Sequence, residues 1–205
     1  SASSQALHPS FIFTQYLADA AGLYLSNPAF IISDTSNKDM LKTICKFVND
    51  FNMQNDIKID VIIRDDGKVY FRRYINEIGC HLQSKPLTPE DLLNHYLQST
   101  NDANAYFRWP NTITADLSIK DDVLRYHAMM LDHNMVGLCP FLRIDTAEGG
   151  ISFTDIHKEK HGEGKSGYLI PEELDRYFFT DEQSILHYLR NPDHIVGDVQ
   201  LRPAK

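Results

Sequence analysis

The sequence predicts an α+β fold built by internal duplication, and three observations lead there. The first is Leu87-Thr88-Pro89-Glu90-Asp91-Leu92, which returns as Leu169-Ile170-Pro171-Glu172-Glu173-Leu174, an offset of 82 residues. The second is the reach of that offset. Laid without a gap, residues 28–110 match 110–192 at 21 of 83 positions, where ordinary composition gives roughly five. Identical pairs include Asp34/Asp116, Ser36/Ser118, Gly67/Gly149, Phe71/Phe153, Ser84/Ser166, Tyr106/Tyr188 and Arg108/Arg190. The third is a pair of alternating apolar runs, each turning on glycine, that read as hairpins between helical stretches.

The expected unit is helix–strand–helix–β-hairpin, present twice, with a third helix–strand at the end. Repeats then cover about 7–86, 87–168 and a partial 169–201. Antiparallel hairpins should pack against helices in one compact, pseudo-symmetric domain over 1–205. An open repeat array is the alternative arrangement.

The first element is a helix over 7–26. Pro9 suits a first turn, and Phe11, Tyr16, Leu17, Ala20, Ala21 and Tyr24 fall largely on one stripe. It should stop before Pro28, because the residue preceding proline is pushed out of the α region. Its later copies are helices over 90–109 and 172–191. After each comes Pro-x-x-Ile-x-x-Asp, at Pro28/Ile31/Asp34, Pro110/Ile113/Asp116 and Pro192/Ile195/Asp198. Short and bounded by proline and aspartate, each reads as a strand.

Ser36 and Ser118 then read as N-caps of helices over 37–52 and 119–134, since a serine hydroxyl accepts from an orphan backbone N–H of the first turn. The hairpins follow. Ile57, Ile59, Val61 and Ile63 alternate before Asp65-Asp66-Gly67-Lys68, and 69–74 returns. In the second copy Phe141–Asp145 leads through Glu148-Gly149-Gly150 into 151–156. Leu92 and Leu174 should be buried equivalents, as should Phe71 and Phe153. The third copy has Gln200 in place of the cap serine, so the repeat ends after a strand over about 193–200, which should complete a sheet.

Composition sets the limits. A formal charge of −8 without clustered Lys/Arg is a poor footprint for nucleic acid, and no apolar run is long enough to enter a membrane. Cys45, Cys80 and Cys139, an odd set without CxxC, suit reduced thiols in the cytoplasm better than a disulfide frame.

No catalytic signature emerges. His157 and His161 have metal-ligand spacing only if their segment is helical, and Gly162, Gly164 and Gly167 argue against that. The plainer reading of 155–167 is a solvated, mobile loop. Gly164-Lys165-Ser166 echoes a P-loop, but the motif needs glycine at 159, which is Glu159. Cys139 could form a nucleophile site with His157 or His161; its copy-one equivalent is Ile57, so a small buried hydrophobe is the simpler reading. Cys45 reads the same way and corresponds to His127. Asp34, Asp116 and Asp198 recur where aspartate commonly bonds the local backbone.

Recurrent residues report what a duplicated fold needs, so function should sit where the copies differ. One such place is 76–86 against 158–168. Another is the aromatic content of the long helices: Tyr96, Tyr106, Phe107 and Trp109 against Tyr177, Phe178 and Phe179. Such rings suit a protein-binding groove. The expectation is a non-enzymatic, acidic protein-binding module, needing no cofactor or metal, that takes a helical or extended peptide. Adaptors, secretion chaperones and immunity proteins are of this type. The competing class is a hydrolase, cysteine-nucleophile or metal-dependent, built on Cys139 and His157/His161.

Overall fold

The computed structural model describes residues 23–25, 35–76, 79–132 and 142–198. The chain divides into two compact units, Ser1–Ala115 and Asp116–Lys205, mixed in helix and sheet as an α+β chain should be.

In the N-terminal unit, β1 (Leu23–Leu25) runs parallel to β2 (Ile59–Ile63), which is antiparallel to β3 (Val69–Ile75), itself antiparallel to β4 (Cys80–Gln83). Helix α1 (Thr35–Gln54) packs on β2 and on α2 (Pro89–His95) and α3 (Thr100–Arg108). Its buried residues Leu41, Ile44, Cys45, Val48 and Phe51 recur at helical spacing on one stripe. Phe107 of α3 closes the core, edge-on to Phe51 at 5.6 Å and to Phe71 at 4.9 Å.

The C-terminal unit has a helix, a two-stranded hairpin and short helices in a similar order, where the N-terminal unit has a four-stranded sheet. A 3₁₀ turn (Leu117–Ile119) leads into α4 (Lys120–Asp132), and β5 (Leu142–Ala147) pairs antiparallel with β6 (Gly150–Asp155). The short α5 (Ile156–Glu159) precedes α6 (Pro171–Tyr177) and α7 (Glu182–Arg190). Val123, Tyr126, His127 and Met130 are the buried stripe of α4, each 82 residues beyond Leu41, Ile44, Cys45 and Val48.

The two units share small, specific bonds. Ser84 Oγ accepts from the Phe71 N–H and Ser166 Oγ from the Phe153 N–H, both at 2.7 Å. Leu87 bridges Val69, and Leu169 bridges Ile151. Lys85 N–H donates to the Ile113 carbonyl at 3.0 Å, and Gly167 N–H to that of Ile195 at 2.9 Å. Leu92 and Leu174 are fully buried, as are Phe71 and Phe153.

Several elements differ from expectation. Residues 23–25 are strand rather than helix; the rest of 7–26, and the strand expected at 28–34, lie outside the described residues. The helices expected over 90–109 and 172–191 are each two. Ser99 and Asp181 take extended backbone and accept from the Asp102 N–H at 3.1 Å and the Ser184 N–H at 2.7 Å, starting a new helix in each case. The strands expected after Pro110 and Pro192 begin instead as 3₁₀ turns, Pro110–Thr112 and Pro192–His194. Proline's fixed φ suits a first turn, and the extended backbone of Ile113 and Ile195 begins only beyond it. No strand forms over 193–198. Ser36 lies one residue inside α1, which starts at Thr35. Ser118 is not a cap either: Asp116 is, accepting from the Ser118 N–H at 3.0 Å and its hydroxyl at 2.6 Å.

The gap-free offset also slips by one residue ahead of the turn. Phe153 pairs with Ile144, but Phe71 pairs with Val61, so Ile144 corresponds to Val61 rather than Ile62. The turns explain this. Glu148 and Gly149, at φ 51° and 75°, make a two-residue turn between Ala147 and Gly150. The first hairpin takes three residues, Asp65 to Gly67 (φ 81°), closed by Arg64 N–H to the Lys68 carbonyl at 2.9 Å. Both glycines hold the left-handed position, in turns of different length.

Leu92→Ala and Leu174→Ala should each destabilise the protein by roughly 2–5 kcal/mol, read by urea denaturation. A loss below about 1 kcal/mol at both would show that neither side chain anchors a core.

Candidate functional site

The seven aromatics expected to form a groove are mostly interior. Tyr96, Tyr106, Phe107, Phe178 and Phe179 are buried, whereas Trp109 and Tyr177 are half-buried. Tyr96 stands edge-on to Tyr106 at 4.8 Å, and Phe178 to Tyr188 at 5.0 Å. The Tyr96 hydroxyl donates to the Thr114 carbonyl at 2.9 Å. With two short helices in place of one long one, both helices must seat rings in the core, and that use takes these side chains off the surface. Trp109 keeps an open side, with the Arg73 guanidinium 5.3 Å from its ring centroid.

Segment 155–167 is folded around specific bonds rather than being a loose loop. Asp155 caps α5, accepting from the His157 N–H at 3.0 Å and that of Lys158 at 3.4 Å. Its own N–H donates to the Gly164 carbonyl at 2.8 Å. Gly164 sits at φ 77°, where a Cβ would lie 2.6 Å from Lys158 Cβ, so no other residue fits there without displacing α5. Arg143 of β5 grips Glu159 with both terminal nitrogens, at 3.0 and 2.9 Å, and Asp145 through Nε at 2.9 Å. The guanidinium holds the Glu159 carboxyl below its usual range. The helical part ends at Glu159, so His157 and His161 do not share one helix face, and both are exposed. Cys139 lies outside the described residues. Among those residues no group of three or more His, Cys, Asp and Glu side chains is placed to hold a metal ion, and no helix is long and apolar enough to cross a membrane.

Two buried titratable groups occupy one position on equivalent helices. Burial pushes the Cys45 thiol up to about 12, which removes it as a nucleophile at neutral pH. At the same place in α4, burial pushes the His127 imidazole down to about 3.

What faces solvent distinguishes the units more than what is buried. Tyr168, Ile170 and Val196 are large apolar residues at 44%, 43% and 42% exposure. Leu169 between the first two is held inward by paired bonds to Ile151, at 2.7 and 3.1 Å, so Tyr168 and Ile170 project to the opposite side. The backbone at Val196 and Gly197 passes close to Gly167. A Cβ on Gly167 would stand 2.7 Å from the Gly197 nitrogen and 3.4 Å from the Val196 carbonyl carbon. Lys165 extends its ammonium to 5.9 Å from the Tyr168 ring centroid. In the N-terminal unit the corresponding positions are Pro86, Thr88 and Thr114. Sequence reasoning passed over these residues, although the comparison of copies contained them: three apolar residues against one proline and two threonines.

A pH dependence follows from His127. Folded, its ring stays neutral down to about pH 3, whereas in the unfolded chain it binds a proton near 6.5. The unfolded state therefore holds more protons across that window, and stability rises with pH from about 3 to about 6.5, by up to about 1.4 kcal/mol per pH unit. Denaturant titrations at several pH values should show a shallower acid limb for His127→Met; an identical limb would assign it to other groups.

Comparison of the chain with family models, with curated proteins and with solved structures finds no match in any of the three.

Proposed function

We propose that this is a non-enzymatic, acidic protein-binding module of the cytoplasm, of adaptor, secretion-chaperone or immunity type, that takes a helical or extended peptide. In this reading the two units descend from one by internal duplication at the 82-residue offset, and the C-terminal unit has diverged to carry the contact. One observation carries it. Tyr168, Ile170 and Val196 are large apolar residues left exposed, at positions where the other unit has Pro86, Thr88 and Thr114.

The chemistry of these residues favours a peptide. An aromatic ring and two aliphatic side chains supply desolvation energy on contact. Lys165 beside Tyr168 adds a single positive charge at the edge, which suits an acidic or carboxyl-bearing side chain near an apolar anchor. The backbone of these segments is held by the Leu169–Ile151 and Gly167–Ile195 bonds, so little order has to be gained on binding.

The test uses peptides selected by display against the immobilised full chain. Tyr168→Ser, Ile170→Ser and Val196→Ser together should weaken the best peptide at least tenfold, about 1.4 kcal/mol, in calorimetry. The thermal midpoint should stay within about 2 °C, because these side chains are exposed. Undiminished binding by the triple variant, or no selectable peptide, would refute the reading.

A further inference from the structure

We infer that His187 and His194 form a two-imidazole chelate for a late first-row divalent cation, with Cu(II) held most tightly. The two rings meet on the surface of the C-terminal unit, His194 Nδ1 lying 3.2 Å from His187 Nε2. That separation is the bite a single ion requires. With metal–nitrogen bonds of about 2.0–2.1 Å, it corresponds to a nitrogen–metal–nitrogen angle of about 100°, between octahedral and tetrahedral values. Both residues are exposed, so an ion has direct access to the pair.

The backbone beneath the pair is fixed by the fold. His187 lies in the last turn of α7, where Asn191 closes the helix. The Asn191 N–H donates to the His187 carbonyl at 3.1 Å and its side-chain amide to the same oxygen at 2.9 Å. The chain then enters the 3₁₀ turn at the buried Pro192. His194 N–H returns to the Asn191 carbonyl at 2.9 Å, and Ile195 N–H to that of Pro192 at 2.9 Å. Tyr188 supports the His187 ring edge-on at 5.0 Å. Two imidazoles held this way lose little freedom on taking a metal, and that preorganisation makes a chelate out of two otherwise ordinary histidines.

The pair is particular to this unit. The corresponding residues of the N-terminal unit are Ala105 and Thr112, so the shared fold does not require imidazoles here. Two nitrogen ligands with solvent in the remaining positions suit copper, nickel or zinc rather than magnesium or calcium, which take oxygen ligands. The expected order is Cu(II) above Ni(II) and Zn(II).

The experiment is calorimetric titration of the full chain with Cu(II), then Ni(II) and Zn(II), in a non-coordinating buffer at neutral pH, with Cu(II) electron paramagnetic resonance alongside. The expected result is one dominant site per chain with two nitrogen couplings. His187→Gln and His194→Gln should each weaken it at least tenfold and remove one nitrogen coupling, with unchanged circular dichroism. His157→Gln with His161→Gln should leave it as it was. Affinity and couplings unchanged in either single variant, or a dominant site lost with the His157/His161 pair instead, would overturn the inference.

Discussion

Each unit depends on a serine hydroxyl that terminates the edge of its hairpin. Ser84 and Ser166 each accept, at 2.7 Å, the N–H of the phenylalanine thirteen residues earlier. Each also donates its own N–H to that phenylalanine's carbonyl, at 2.9 Å. A buried strand edge without partners would leave polar groups unsatisfied, and here one side chain takes the place of a ladder bond. The returning segment is thereby aligned, Leu87 and Leu169 reach their bridges, and Pro89 and Pro171 can open α2 and α6 at a fixed point. Phe71 and Phe153, whose backbones are pinned this way, each belong to the aromatic cluster of their unit.

Around that constraint the two units solve the same packing problem with different atoms. The N-terminal unit gathers Phe51, Phe71 and Phe107, while the C-terminal unit sets Tyr126 among Phe153 and Phe179. Tyr126 brings a hydroxyl inward, and the fold answers it with Asp175 at 3.0 Å and the Pro171 carbonyl at 3.2 Å. Asp175 is gripped in turn by Arg125 at 2.7 Å. At the offset position the N-terminal unit has Ile44, which needs no such partner, whereas a buried hydroxyl does. Cys45 and His127 show the same freedom on the neighbouring position: a small thiol in one unit, a neutral imidazole in the other, both enclosed.

The surfaces differ as well. At the 82-residue offset from Tyr168, Ile170, Val196, His187 and His194 the N-terminal unit has Pro86, Thr88, Thr114, Ala105 and Thr112. The segments that carry these residues are held by backbone bonds such as Leu169–Ile151, Gly167–Ile195 and His194–Asn191. The Arg143 fork on Glu159 belongs to this unit as well, and it holds α5 in place.

By itself the sequence determined the α+β class, the hairpins and the burial of Leu92, Leu174, Phe71 and Phe153, because apolar periodicity and glycine turns are local signals. It could not distinguish one long helix from two short ones around Ser99 and Asp181, since the apolar stripe runs through both and only the capping geometry breaks it. Nor could it place the aromatics. Tyr96 and Phe178 have the composition of a binding groove, but whether a ring faces a partner or its own core depends on what packs over it. The register slip between Val61 and Ile144 was hidden for a similar reason: one residue fewer in a turn leaves the identities around it aligned. Tertiary structure alone decided that Tyr168, Ile170 and Val196 are exposed and that the backbones at Gly167 and Gly197, thirty residues apart, approach each other. It also brought two histidines seven residues apart to 3.2 Å, which required the helix to end at Asn191 and the chain to turn back on Pro192.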